Sequence, residues 1–497
     1  MPSLSFPFLT VAVLLPLAAA LFLAKIPESR RRATALFAVL GTAVCGVAAS
    51  LELWLQSARS LADPLFAASW SRPLLSVDTL GAFALVVYAI VAIVLFSSMP
   101  RRDSTLSGLR NHLWILAGAT LAYSAENLLL LFLGWVVASL PLVIAKVETS
   151  TGDKPRWHFP QIAMVSGSLC LGIAFVLMVT EAYQASGVLE LSITRLAASP
   201  AMVDHVATLV FLMLAVLLRK GVFPLHSWVT QATEQYDLLQ TIGFVNTHLG
   251  VFVLAKVAIP LLPHASAGIF HPLTDLALIT ALLTSLMAVA AMQPRTMVAL
   301  LAASQSSFIL AGIGSGSAEA ITGALMFWAV VSLATTAIFV VLRSLEVRLS
   351  TPLTLRDFHG FGHHAPRLAV FFLVSALALV GLPGTLGFCA EDLLLHGTLE
   401  AHPFVGILLP IATAINAISF LRLFNRLFLG KRGIHVPNIA DAMPRERWAL
   451  ATVVMLIILT GLLPGTLVNA LSKAAHEHVI ETTVLTYLHG VPGSAGF

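Results

Sequence analysis

Charge is what this 497-residue sequence has least of: Asp, Glu, Lys and Arg make up 10% of it, against 58% hydrophobic residues and a mean hydropathy of +0.92. Soluble domains carry about 25% charged residues, so the chain lacks the polar surface that a soluble fold of its size requires. Cysteine is scarce too. Cys45, Cys170 and Cys389 are odd in number, far apart and set in apolar stretches, which argues against a disulfide framework and against a CxxC metal site. GxGxxG, Walker and HExxH patterns are all missing. No segment therefore reads as a nucleotide, redox-cofactor or metal site, and no cofactor is expected. The net charge is +4, but the basic residues lie in short links between apolar runs, where they orient membrane helices rather than bind phosphate. Nucleic acid is not an expected partner; the lipid bilayer is.

What the sequence has in abundance is apolar runs of about 20 residues, each long enough to cross a bilayer. They recur along the whole length and amount to about fourteen spans, which makes the expected fold class an all-α polytopic membrane protein. The first run, Phe6 to Ala24, has no basic residue before it and Lys25, Arg30, Arg31 and Arg32 after it. A cleavable signal peptide has the opposite polarity, so this run is expected to stay as a first helix with the N-terminus outside. An even number of spans puts the C-terminus outside as well. The other basic residues agree with that sidedness. The inner links hold Arg101, Arg102 and Arg110, then Lys146, Lys154 and Arg156, then Arg295, then clusters at Arg343 to Arg367 and Arg422 to Arg447, with Lys431 and Arg432 in the last. The outer links hold Arg59, Arg72, Arg195 and Lys473.

Two spans are interrupted by Gly and Pro. The seventh reads LLRKGVFPLHSW, broken around Gly221 and Pro224, and the twelfth reads ALALVGLPGTLGFCAEDLLLHG, broken at Gly381, Pro383 and Gly384. Proline removes a backbone donor and clashes with the preceding turn, so each should be two half-helices joined by unwound backbone. The breaks lie five spans apart, an odd offset that makes the two helices antiparallel. Inverted repeats have this property, and transporters place ion sites at such paired discontinuities. The blander alternative is that Gly and Pro simply kink membrane helices.

A charge at mid-bilayer costs about 2.5–3.5 kcal/mol on insertion scales, so it persists where it is paired, hydrated or useful. The seventh span and its continuation hold Arg219, Lys220, His226, Glu234 and Asp237; the eighth holds His248 and Lys256; the twelfth holds Glu391, Asp392 and His396; Glu126 opens the fifth. A buried lysine beside another cation can take up and release a proton, whereas an arginine stays charged. Lys220 is thus a relay candidate and Arg219 an electrostatic one, unless either snorkels. Glu391 follows the second break by one helical turn and can hold a proton or pair with a cation. His226 and His248 could shuttle protons or serve as packing residues. Haem ligation would want regularly paired histidines, which the pattern does not offer. Lys256, towards the outer end of its span, is expected to snorkel.

Four segments carry a resemblance. SAENLLLLFLGW in the fifth span, KGVFPLHSWVTQATE in the seventh, LLAASQSSFILAGIG in the tenth and LVGLPGTLGFCAED in the twelfth resemble, in order, motifs of the antiporter-like subunits of respiratory complex I and of Mrp-type cation/proton antiporters. DAB-type inorganic-carbon uptake complexes use a similar subunit. The resemblance covers roughly residues 75–430 and implies fourteen spans with broken seventh and twelfth helices. It also implies a proton path through Arg219 or Lys220 and on to Glu391, with Ser304 and Gln305 at the family's tenth-span SQ pair.

The chain departs from the pattern at the fifth-span glutamate, here Val136, at the histidine after Glu234, which is lost, and at the eleventh-span lysine, which falls near Thr336. A cation at residue 219 or 220 then needs another partner, for which Glu234, Asp237 and Glu126 are the available carboxylates. The expected organisation is a three-helix segment over 1–110, two inverted five-helix repeats over 111–262 and 263–430, and a C-terminal helix and tail over 431–497. The implied function is a membrane subunit of a multi-subunit proton-coupled complex that moves protons, with Na⁺ as a candidate second ion and the coupling ion itself left open by the sequence. Its implied place is the inner membrane, with other membrane or peripheral subunits as partners and transport rather than catalysis in this chain. A non-conducting scaffold that docks a catalytic partner is the rival.

Overall fold

A computed structural model describes residues 2–67, 73–145, 158–198, 204–349, 352–430, 439–473 and 475. Arg72, Lys146, Lys154, Arg156, Lys431 and Arg432 of the charge pattern, and nearly half of the 431–497 segment, lie outside the described residues. The rest is a bundle of helices, with α1 at Phe8–Phe22, α2 at Glu28–Leu55, α3 at Thr79–Ser98, α4 at Leu106–Ser124 and α5 at Leu128–Val143. There follow α6 at Phe159–Ser186, α7 at Val206–Lys220, α8 at Ser227–Gln235, α9 at Leu238–Val245 and α10 at Leu249–Val253. The second half has α11 at Pro263–Ala290, α12 at Pro294–Gly314, α13 at Ala318–Arg348 and α14 at Pro366–Ala378. It ends with α15 at Leu386–Ala401, α16 at Leu408–Phe428 and α17 at Pro444–Leu462.

Among the described residues nine helices are long and apolar enough to cross a membrane, or ten if Pro444–Leu462 and Gly465–Lys473, bent by 81°, form one span. The difference from about fourteen arises where apolar runs are short or divided. Helices α5 and α14 are short apolar helices, α7 and α8 are separated by a break, as are α14 and α15, and α4 carries Arg110, Asn111 and His112 in its second turn. The bundle is a membrane protein in its outward face as well. Helices α12 and α13 are buried on all sides, whereas α2 and α6 turn Phe37, Trp54, Leu169 and Val176 outwards. Apolar side chains exposed at this density suit lipid, not water.

The two ends of the bundle are built differently. At one end a short hairpin pairs β1, Ser60–Ala62, antiparallel to β2, Ser76–Asp78, with isolated bridges Leu75–Ala125 and Asn127–Ser192 continuing it. At the other, arginines fasten the helices: Arg343 bonds Asp103 at 2.6 Å and Glu346 at 3.2 Å, Arg295 bonds Glu346 at 2.6 Å, and Arg348 bonds Glu446 at 2.6 Å. Several basic residues that read as topology signals thus also hold elements together.

Close helix contact depends on glycine at α4 and α5. A Cβ at Gly118 would lie 2.3 Å from the Ala138 nitrogen, and one at Gly134 2.6 Å from the Ala122 nitrogen. In lipid, where apolar burial does not drive helices together, such small-residue contact is what packing rests on. Gly134→Val should therefore force α4 and α5 apart at a cost of about 1–3 kcal/mol, seen as a lower Tm in detergent. Gly46→Ala, whose Cβ would meet only Leu85 Cβ at 3.8 Å, should leave the Tm unchanged.

Candidate proton-relay site

The site forms where α7 stops. Its C-terminal residues are Arg219 and Lys220, and Gly221 follows with φ +65°, a left-handed geometry that glycine adopts without strain. The Val222 N–H bonds back to the Leu217 carbonyl at 3.2 Å, and Trp228 Nε1 donates to the Leu218 carbonyl at 2.8 Å, so the ending carbonyls are satisfied. The second break repeats this. Helix α14 ends at Ala378, Gly381 has φ +73°, and the Leu382 N–H bonds the Leu377 carbonyl at 3.0 Å before α15 resumes. Both breaks lie where Gly and Pro placed them.

A third break was not anticipated. Between α9 and α10 the chain turns through Asn246, Thr247 and His248, and His248 has φ +46°. A non-glycine residue there costs about 1–3 kcal/mol and is held by its surroundings. Tyr123 donates to the Thr247 carbonyl and Tyr88 donates to the Gly243 carbonyl at 3.0 Å, pairing carbonyls at the break. Leu254–Ala258, a π-helical turn, follows immediately. No proline marks this break, so only the mid-span polar cluster Asn246–Thr247–His248 could have signalled it.

The two breaks in the first half meet. Lys220 Nζ lies 2.8 Å from His248 Nδ1 and donates to Ser306 Oγ on α12. Gly250 makes room for the lysine stem, since a Cβ there would lie 2.9 Å from Lys220 Cγ. Around the pair is a cavity of about 10 Å³, lined by Arg219, Thr247, Ala303 and Ser306 among others, the size of one water. Two cations at that separation would repel, so the contact suits one proton shared between the nitrogens. His248 Nε2 has no partner among the described residues and is free to pass a proton on.

Arg219 corrects the expectation of a carboxylate partner. Its Nη1 donates to Ser139 Oγ at 2.6 Å and to the Trp135 carbonyl at 3.4 Å, and its guanidinium lies 4.3 Å from the Trp135 ring centroid and 4.2 Å from that of Phe244. Two aromatic faces and two oxygens thus stand in for the acid that Val136 does not supply. The three carboxylates are occupied elsewhere. Glu234 is exposed and accepts from Thr296; Asp237 caps α9 by accepting from the Gln240 N–H at 2.7 Å. Glu126 is buried and accepts from Ser76 at 2.6 Å and from Ser192 at 3.3 Å, with Thr194 as a further donor. His226 is buried against Phe223, with ring centroids 5.6 Å apart, and its Nδ1 has no partner among the described residues.

Lys256 does not snorkel. It is buried in the π-helical turn and paired with Asp78 of the hairpin, with Glu126 close by. Glu391 is half-buried on α15, its carboxylate packed against Gly381 and turned towards Thr413 of α16. Asp392 and His396 are exposed. Sequence reasoning also missed a cluster in which His402 Nδ1 lies 3.3 Å from both His271 Nδ1 and Asp275 Oδ1. Among the described residues no group of three or more His, Cys, Asp or Glu could hold a metal ion.

Residues 125–416, more than half of the chain, match the family described as NADH:quinone oxidoreductase/Mrp antiporter, transmembrane. The chain belongs to this family. Among its relatives, NADH-quinone oxidoreductase subunit M of Escherichia coli K12 is 24% identical over 463 residues, covering 86% of this chain and 89% of that one. Subunit 13 of the Thermus thermophilus enzyme is 31% identical over 266 residues, or 53% of this chain and 55% of the relative. The Rickettsia bellii subunit M is 26% identical over 271 residues and likewise spans 55% of its length, so the chain spans about half the length of several curated relatives. Among solved structures, a chain of respiratory complex I from Thermus thermophilus superposes with a TM-score of 0.81 at 23% identity, covering 95% of this chain and 99% of that one. A chain of the Mrp complex from Dietzia sp. does so at 0.78 and 20%, covering 97% and 99%. These likenesses show a shared fold, and both family neighbours are membrane subunits of larger complexes.

The Lys256–Asp78 pair gives a stability test. Asp78 also caps α3, accepting from the Gly81 N–H at 2.7 Å, so Asp78→Ala strands a buried cation and should cost about 3 kcal/mol. The Asp78→Ala/Lys256→Met double variant should recover part of that loss, as read by thermal denaturation in detergent.

Proposed function

We propose that this chain is the antiporter-like membrane subunit of a multi-subunit proton-coupled complex, and that Lys220 and His248 exchange a proton that moves on towards Glu391. The observation that carries the reading is the 2.8 Å contact between Lys220 and His248, two titratable nitrogens brought together by two broken spans at a buried cavity. Arg219 tunes the pair electrostatically. His226, Glu234 and Asp237 keep secondary roles, the last two at the periphery.

The architecture behind it is fourteen spans, counting α7–α8, α9–α10 and α14–α15 as single crossings, with residues 1–110 leading and 431–497 trailing two inverted repeats. Helix packing supports the repeats. The α4–α5 contact has its counterpart in α11–α12, α5–α6 in α12–α13, α6–α7 in α13–α14 and α4–α9 in α11–α16, each pair displaced by five spans. The chain sits in the inner membrane with both termini outside. The host is a complex I-like or hydrogenase assembly, an Mrp-type antiporter or an inorganic-carbon uptake complex, and subunits retained on purification in mild detergent identify which.

A scaffold that conducts nothing is the second reading, favoured by Val136 and Thr336, which remove ionisable groups from two relay positions. Proton flux in liposomes separates the two. Lys220→Met and Glu391→Gln should each reduce flux by about 100-fold while the protein still inserts and binds its partners. Unchanged flux in both variants would leave the scaffold.

A further inference from the structure

Between the Lys220–His248 pair and Glu391 the α13 route is closed. Asn246 Nδ2 donates to Thr335 Oγ1 at 3.0 Å, Thr336 Oγ1 at 2.9 Å and the Ser332 carbonyl at 3.0 Å, and Thr336 in turn donates to that carbonyl at 2.6 Å. This knot joins α9 to α13 and contains no group that ionises near neutrality.

Helix α12 beside it has the opposite character. Gln305 is fully buried, yet neither Nε2 nor Oε1 of its amide has a partner among the described residues. Its neighbours in the chain are engaged on either side. Ser306 accepts from Lys220, whereas Ser304 accepts from Asn416 Nδ2 at 2.8 Å and donates to the Ala281 carbonyl at 2.9 Å. Successive residues stand about 100° apart around a helix, so Gln305 projects between the Lys220 face and the Asn416 face. Asn416, on α16, is itself fully buried with Oδ1 unpartnered among the described residues. One turn before it on the same helix is Thr413, towards which the Glu391 carboxylate turns. One turn after it the buried Ser419 hydroxyl is also unpartnered among the described residues.

Buried amides are costly when unpaired, and buried polar groups without a protein partner are commonly satisfied by water. We infer that protons pass between the Lys220–His248 pair and Glu391 along water held by Gln305 of α12 and Asn416 of α16, bypassing Thr336 of α13. The inference rests on the proton-conducting reading above. Each hop conserves protons: a water or hydroxyl donates one to its neighbour and receives one from behind, and the two amides hold the waters without ionising. Gln305 and Asn416 are therefore positioning residues.

The test uses the complex as purified, with its retained subunits, in liposomes loaded with a pH-sensitive dye. Gln305→Leu and Asn416→Leu should each slow proton flux by about tenfold or more, with unchanged yield and Tm. Gln305→Glu, which keeps size and polarity, should retain flux and make it vary with pH. Wild-type flux through Asn416→Leu and Gln305→Leu overturns the route while the proton reading stands. Should Gln305→Leu not fold, Asn416→Leu and Gln305→Glu decide the matter alone. If the wild-type complex and Glu391→Gln are equally without flux, the proton reading itself fails and the route with it.

Discussion

Two adjacent cations, Arg219 and Lys220, end a helix inside a largely apolar bundle, and the structure around them follows from that burden. A charge at this depth must be matched or moved to the surface. Here it is matched without a carboxylate. Arg219 is sandwiched by Trp135 and Phe244 and bonded to Ser139, and Lys220 is met by His248 and Ser306. The two solutions differ chemically. The aromatic clamp holds a permanent charge still, whereas an amine against an imidazole holds a charge that can move.

That arrangement requires three interrupted spans, and each interruption frees backbone groups that lipid cannot satisfy. The protein pairs them locally. Val222 and Leu382 bond back across their glycine turns, Trp228 closes one carbonyl at the first break, and Tyr88 and Tyr123 close two at the third. The tyrosines lie on α3 and α4, so the shape of the break carrying His248 depends on helices far away in sequence. The fully buried α12 and α13 complete the enclosure, and they supply Ser306 to the lysine and Thr335 and Thr336 to Asn246.

Composition and apolar runs made the membrane bundle legible, and Gly221, Pro224, Gly381 and Pro383 marked two of the breaks, because both signals act locally. The third break was hidden, since it is imposed by distant tyrosines and by Asn246 bonding to α13 rather than by a local helix breaker. Lys256 was misread for a related reason. Snorkelling presumes that the ammonium has only the surface to turn to, and here Asp78, brought up by the hairpin, pairs with it. The search for a carboxylate beside Arg219 failed because charge compensation by ring faces and carbonyls leaves no sequence signature. His226 and Glu391 were found at the breaks they were expected to flank, but Glu234 and Asp237 sit at a helix end, where Asp237 serves as a cap.

The breaks also bear on which ion the proposed path suits. Sodium sites at interrupted helices are built from backbone carbonyls left unpaired by the unwinding. In this chain the Leu217 and Leu218 carbonyls are taken by Val222 and Trp228, the Gly243 and Thr247 carbonyls by Tyr88 and Tyr123, and the Leu377 carbonyl by Leu382. A metal cation approaching the first and third breaks would in addition face Arg219 and Lys220 with no acid beside them to offset the repulsion. A proton feels the same repulsion from Arg219, but it does not need the coordination that is missing here. It needs a lone pair rather than a ring of oxygens, and Lys220, when neutral, and His248 each offer one at a separation short enough for direct transfer. On the proposed reading, then, the paired carbonyls make this site a poor cage for Na⁺, while its two adjacent nitrogens make it a workable station for a proton.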